Sequence, residues 1–332
     1  MVDVSTITNP EPVSLREAEF CSGRPAANSP TAGGWRTKGF TDSLERFIVQ
    51  LENDTLLAKP YLLRERLDAL DRLDAYFPCI PQEADDLASL EYGLARRAKA
   101  IRDRFEAVNA NLYESIRWQI QRGLQSHGLL SWLSPSLPME YLATASGGVG
   151  YDYIDELISG VFGFEEPEDE RISREPEKLF YQPTPARLIF SLINLTALTS
   201  DDVFVDIGSG LGHVPLMVSI CTESRSLGIE VEQTYVGRAQ ECARRLNLNR
   251  VAFIQQDARE ADLSEGTVFY LYTPFIGSIL KTMLRRLRCE AAARQIRICS
   301  YGPCTSAIAE ESWLAAATVP DETVITVFHS HA

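Results

Sequence analysis

Histidine and paired cysteine are both scarce in this chain. Its four histidines, His127, His213, His329 and His331, have no metal-ligand spacing, and its seven cysteines, at 21, 79, 221, 242, 289, 299 and 304, contain no C-x-x-C pair. That argues against the common zinc patterns and against a disulfide frame, and it suits reduced thiols, so no metal is expected. Positive charge is short as well: 32 Lys and Arg against 46 Asp and Glu leave a net charge of −14. An anionic surface repels phosphate backbones and anionic membranes, which disfavours nucleic acid as a partner. No apolar run approaches the roughly 18–20 residues that span a bilayer, and no basic-then-apolar leader is recognisable. A cytoplasmic location without a membrane partner is therefore expected.

What is present is ordinary globular composition, 45% hydrophobic and 9% aromatic over 332 residues, enough for two modest domains or one enlarged one. Residues 1–40 are rich in Pro, Ser, Thr, Gly and Asn and read as an irregular arm. Residues 41–145 read as an all-α accessory domain. Leu44, Phe47, Ile48 and Leu51 recur at helical steps, a second helix is predicted from Tyr61 to Tyr76, and "FPCIPQ" breaks the chain. The longest stripe, Leu87, Leu90, Leu94, Ala98, Ile101, Phe105, Val108, Leu112, Ile116 and Ile120, predicts one long helix ending near Gly123. This half either has no chemistry of its own, offering a surface for a partner or for self-association, or it covers the substrate pocket. Residues 146–179 read as a linker, with a hinge at "SGGVG", a short amphipathic helix in "YDYIDELISGVFGF" and a solvated charge run, "EEPEDE".

From residue 180 to 332 strands and helices alternate: strands at Val203–Ile207, Ser226–Glu230, Val251–Gln255, Val268–Tyr272 and Gln295–Tyr301, with helices between them. Two more strand-like runs flank "PDE" near the last residues. The fold class expected is α/β, a doubly wound seven-stranded Rossmann-like sheet closed by a C-terminal hairpin.

After the first of these strands comes "VDIGSGLGH". Gly208, Gly210 and Gly212 make G-x-G-x-G, whereas the dinucleotide loop is G-x-G-x-x-G and has no acid pointing at its pyrophosphate. Here Asp206 stands just before the loop, suited to a ligand ammonium, and His213 follows the third glycine. Glu230 ends the second strand, where a carboxylate can take two ribose hydroxyls, and Asp257 follows the third, where it can meet an adenine amino group. An ammonium, a ribose and an adenine without phosphate describe S-adenosyl-L-methionine.

On these residues, roughly Phe180 to His329 resembles the class I S-adenosyl-L-methionine-dependent methyltransferases, and the stretch "YQPTPARLIFSLINLTALTSDDVFVDIGSGLGHV" is similar to the non-SET histone-lysine methyltransferases related to the disruptor of telomeric silencing. The resemblance implies cofactor contacts at Tyr181, Thr184, Asp206, Gly208, Ser209, Gly210, His213, Glu230, Asp257, Ala258 and Tyr272. Pro183 replaces that family's glutamate, "YTPF" (Tyr272 to Phe275) replaces its Asn-Asn-Phe segment, and its lysine-rich nucleosome-binding tail has no counterpart here.

Thr184 and Pro185 also read as the N-cap and first residue of a helix. Tyr272 and Phe275 are expected to form an aromatic wall facing the transferred methyl. Cys304 in "YGPCT" reads as structural. Tyr181, Tyr272 and His213 are the candidate catalytic groups, should the acceptor need a general base. A small-molecule acceptor is favoured over a protein lysine, given the altered segment and the missing tail. A non-catalytic cofactor-binding module and an NAD-linked oxidoreductase are the competing readings.

Overall fold

The computed structural model describes residues 38–76, 90–124, 150–164, 182–272 and 275–331. The arm through residue 37, "FPCIPQ", "EEPEDE" and all of the hinge except Gly150 lie outside them. The chain forms two compact units, Met1–Ser43 and Leu44–Ala332; the first contributes only the opening of one helix to the described residues, and the second holds the rest of that helix, the other helices and the sheet.

Three helices come first: α1 (Lys38–Asn53, beginning at Lys38 rather than Thr41), α2 (Leu63–Tyr76) and α3 (Leu90–Gln121), with a short 3-10 turn at Leu56–Ala58. The periodic residues Leu44, Phe47, Ile48 and Leu51 bury together with Leu73, Leu94, Ala98, Ile101 and Phe105 in one apolar cluster. Beside it lies a fully buried cation. Arg66 donates to Asn109 Oδ1 at 2.7 Å and to the carbonyls of Leu57, Lys59 and Pro60 at 3.0, 2.5 and 3.2 Å, so its guanidinium closes the turn between α1 and α2 onto α3.

The far half of α3 serves a second core. Leu112, Ile116 and Ile120 pack in the cluster that contains α4 (Tyr153–Phe162), α5 (Ala186–Thr196) and one face of the sheet. Helices α3 and α4 meet at a glycine: a Cβ at Gly160 would stand 2.3 Å from the Tyr113 ring. The last carbonyls of α4 are satisfied from outside the helix, Val161 O by Arg117 Nε at 2.7 Å, Gly160 O by Arg117 Nη2 and Phe162 O by Arg245 Nη2.

The sheet contains β1 (Val203–Ile207), β2 (Arg225–Glu230), β3 (Val251–Gln255), β4 (Val268–Tyr272), β5 (Arg297–Tyr301), β6 (Leu314–Ala316) and β7 (Thr326–Ser330) in the order β3-β2-β1-β4-β5-β7-β6. Strands β1 to β5 pair in parallel, and β7 runs antiparallel between β5 and β6. All five residues of β1 are buried, because helices cover both faces and leave no solvated side to alternate with. Phe204, Val268, Tyr270 and Cys299 face α4, α5, α6 (His213–Cys221) and α7 (Gln233–Arg245). Val205, Ile207, Phe269, Leu271 and Ile298 face α8 (Gly277–Ala293) and α9 (Cys304–Ala309). The short α9 went unread in the sequence. No helix among the described residues is long and apolar enough to cross a membrane.

Candidate active site

The glycine loop joins β1 to α6. Gly208, Gly210 and Gly212 have φ of 85°, 52° and 82°, a left-handed run that L side chains resist. The early third glycine has a second reason. A Cβ at Gly212 would lie 2.5 Å from the Phe253 ring and 3.1 Å from Ala239 Cβ, so the loop passes directly against β3 and α7. Gly208 and Ser209 donate their amides to Ile229 O at 2.9 and 3.0 Å, which seats the loop on β2. The hydroxyl of Ser209 is buried and has no hydrogen-bond partner among the described residues.

Asp206 is only 4% exposed, and no donor among the described residues reaches its carboxylate. Burial, reinforced by the charge of Glu230, holds its pKa well above the usual carboxylate range. A buried acid in that position lacks a cation, and a ligand ammonium is a partner of the right sign and size. Glu230 is better provided for. Its Oε2 accepts from Gly210 N at 2.8 Å and its Oε1 from Val231 N and Glu232 N at 2.7 and 2.9 Å, so it ties the loop to the tip of β2. Asp257 is held by Arg259, whose Nε and Nη2 lie 3.0 and 2.6 Å from the two carboxylate oxygens. Ala258 gives its carbonyl to Arg286 Nη1 at 2.8 Å. The three carboxylates thus stand at the C-terminal ends of three adjacent strands, as their spacing predicts.

Thr184 does not cap the helix that follows it. Its Oγ1 lies 3.1 Å from the hydroxyl of Tyr270 in β4, and the first turn of α5 is capped from another helix. Asp155 Oδ1 accepts Ala186 N at 2.8 Å while its Oδ2 accepts Asp152 N at 2.8 Å, so one carboxylate serves the starts of both α4 and α5. Burial and the neighbouring Asp152 raise the pKa of Asp155 further than these hydrogen bonds lower it. Arg187 and Asp152 form an ion pair alongside.

His213 opens α6 and packs against Phe164 and Phe162, ring centroids 4.9 and 5.9 Å away. Burial presses its pKa down to about 4, so the imidazole is neutral at pH 7 and a weak base. It shares a cavity of about 40 Å³ with Tyr151, Asp155, Ser159 and Thr184. Tyr272 ends β4 with its ring 4.9 Å from that of Tyr301 at the end of β5, and burial raises its phenol to about 12. The expected partner of Tyr272 is elsewhere: Phe275 is buried in the cluster beneath α8, on the opposite face of the sheet. Tyr181 lies outside the described residues. Cys304 is buried and donates its thiol toward Leu271 O and Tyr301 O at 3.5 and 3.6 Å.

Sequence reasoning missed Tyr151, Asp155, Tyr270 and Tyr301 as site residues. Asp152 and Asp155 had a legible signal, the D-x-x-D of a capping box, whereas Tyr270 needed the strand register.

Residues 178–270 match the family model for the histone methylation protein DOT1. No curated protein matches the chain. Among solved structures it is similar to an RNA methyltransferase from Salinibacter ruber bound to S-adenosyl-L-homocysteine, at 26% identity over 45% of this chain and 92% of that one, TM-score 0.36. It is also similar to the putative methyltransferase yhhF from Escherichia coli, at 13% identity over 44% and 87%, TM-score 0.37. TrmN from Thermus thermophilus matches at 17% identity over 44% and 48%, TM-score 0.34. The Asp206 carboxylate, buried without a donor among the described residues, and the left-handed loop seated on β2 fit an amino-acid-bearing adenosyl ligand. The segment similar to the DOT1 family model contains the glycine loop, Asp206, Glu230 and Asp257.

Proposed function

We propose that this chain transfers the methyl group of S-adenosyl-L-methionine in line to a small-molecule acceptor held between the ends of β4 and β5 and the start of α4. The observation that carries the cofactor side is Asp206, a buried carboxylate without a donor among the described residues, beside a loop that only glycine can build. In this reading Asp206 takes the ligand ammonium, Glu230 the ribose hydroxyls and Asp257 the adenine amino group, with Gly208, Ser209 and Gly210 forming the floor. Thr184, His213, Ala258 and Tyr272 complete the surroundings.

Bound there, the sulfonium supplies an activated methyl with a good leaving group, so the protein mainly has to align an acceptor and exclude water. His213 does so as a neutral, aromatic-packed ring rather than as a base. Tyr272, with its phenol raised to about 12, presents a neutral ring and hydroxyl at neutral pH. The helical half then acts as an accessory region, with α4 bordering the acceptor side.

A protein lysine is the second reading, favoured by the match to the histone methylation protein DOT1 over residues 178–270. Incubation with methyl-tritiated cofactor and a cell extract, separated into protein, nucleic-acid and small-molecule fractions, distinguishes the two. Label in the small-molecule fraction is the expected result. Label confined to protein moves the acceptor to a side chain, and label in nucleic acid contradicts the charge argument.

A further inference from the structure

Resting on the reading that Asp257 takes the adenine amino group, we infer that Arg259 is the residue this group displaces, and that Arg259 thereby limits cofactor affinity and makes it respond to salt. Both oxygens of Asp257 are already engaged. Oδ1 accepts Arg259 N at 2.8 Å and Arg259 Nε at 3.0 Å, while Oδ2 accepts Arg259 Nη2 at 2.6 Å and Nε at 3.2 Å. Two carboxylate oxygens offer about four lone-pair directions, and these four contacts use them. An adenine N–H that reaches Asp257 has to take over a direction held by the guanidinium.

The backbone is not free to yield in its place. Gln256 N donates to Glu230 O at 2.9 Å, which pins the chain just before Asp257 to the tip of β2. Just after it, Ala258 and Ala261 give their carbonyls to Arg286 of α8 at 2.8 and 2.5 Å. Glu260 N and Ala261 N close a turn back onto Asp257 O at 2.9 and 3.2 Å. What is left to move is the Arg259 side chain, which is 40% exposed, so solvent is at hand to take the guanidinium.

Magnitudes decide which partner keeps the carboxylate. An exposed ion pair of this kind is worth roughly 1.5- to fivefold, whereas a ligand N–H bonded to a carboxylate that the ligand itself shields from water is worth about ten- to a hundredfold. Adenine therefore replaces Arg259, and its binding is weakened by the smaller factor. Asp206 is the opposite case, since no donor among the described residues reaches it and the ligand ammonium meets no competitor there. The base matters as well. A 6-amino group brings a donor and takes the carboxylate, whereas a 6-oxo group brings an acceptor and leaves the guanidinium on Asp257.

The test is titration calorimetry of the full-length protein and its Arg259→Gln, Arg259→Lys and Asp257→Asn variants with two probes, S-adenosyl-L-homocysteine and its 6-oxo analogue S-inosyl-L-homocysteine. At low salt Arg259→Gln should bind the adenosyl probe about 1.5- to fivefold more tightly than the parent. Arg259→Lys should fall between them, because an ammonium does not reproduce the guanidinium fork. The gap should close in about 1 M sodium chloride, where the screening length falls to about 3 Å. The inosyl probe should gain nothing from Arg259→Gln. Adenosyl binding that is unchanged or weaker in Arg259→Gln overturns the inference, the weaker case meaning that Arg259 holds the base instead of yielding to it. An equal gain for both probes, or a gap that persists at high salt, overturns it too. The underlying reading fails separately: Asp257→Asn should lose most of the preference for the adenosyl probe, because an amide can turn either its oxygen or its NH2 to the base. A preference unchanged in that variant removes Asp257 from the adenine site.

Discussion

Burial of Asp206 costs the ligand-free protein stability at neutral pH. Its folded pKa is raised, so the folded state holds a proton that the unfolded chain gives up near the ordinary value of 3.8. The sign follows: ligand-free stability is highest below that value and falls as pH rises toward the raised folded pKa. Asp206→Asn should flatten that slope and stabilise the ligand-free protein at pH 7 by roughly 1–3 kcal/mol, measured by urea denaturation across pH. The same substitution should weaken S-adenosyl-L-methionine by roughly ten- to a hundredfold, because the ammonium loses a charge-assisted bond. A variant that binds normally would remove Asp206 from the site. The sequence made Asp206, Glu230 and Asp257 legible because parallel strands place their C-terminal tips on one edge. It could not reveal that Thr184 bonds Tyr270, since a local capping pattern says nothing about a hydroxyl 86 residues away. It also paired Phe275 with Tyr272, whereas Tyr272 packs against the cluster under α4 and α5 and Phe275 is buried in the cluster under α8.

Among the strands, one carboxylate at the edge away from the ligand holds several starts in register. Asp202 Oδ1 accepts Arg297 Nη2 at 2.6 Å and Thr267 Oγ1 at 2.9 Å, while Oδ2 accepts Thr199 N at 2.9 Å. These bonds join the starts of β1, β4 and β5, and Arg297 reaches on to Thr196 O at the end of α5. Burial alone would raise its pKa, but the Thr199 amide, the Arg297 guanidinium and the Thr267 hydroxyl together hold it below the ordinary 3.8. A depressed carboxylate stabilises the fold above its unfolded pKa, and that stability is lost as pH falls through the folded value. Asp202→Asn should therefore destabilise by roughly 1–3 kcal/mol at pH 7, with the difference from the parent shrinking below about pH 4 in thermal melts. A constant difference down to pH 2 would contradict the ion pair's role. The strands themselves were legible as apolar runs between glycine and polar turns. The short α9 was not, because six residues after a proline carry too little periodicity to separate from a loop.

The long helix α3 is shared by both helical cores. Its first half buries in the helical cluster and its second half under α4 and the sheet, so the two apolar clusters meet in one rigid element. Hung from it through Gly160 and Arg117, α4 carries Tyr151, Asp152 and Asp155 to the strand tips, where Asp155 also starts α5. The helical period announced α3 but not its division between two cores, because a continuous stripe looks the same whatever packs against it. Everything proposed for the molecule depends on the strand tips and glycine loop binding an adenosyl amino acid. Titration calorimetry of the purified chain with S-adenosyl-L-methionine, S-adenosyl-L-homocysteine and NAD tests this most directly. Saturable one-to-one binding of the first two and none of the third is the predicted result; saturable NAD binding with no heat from either adenosyl ligand would contradict it.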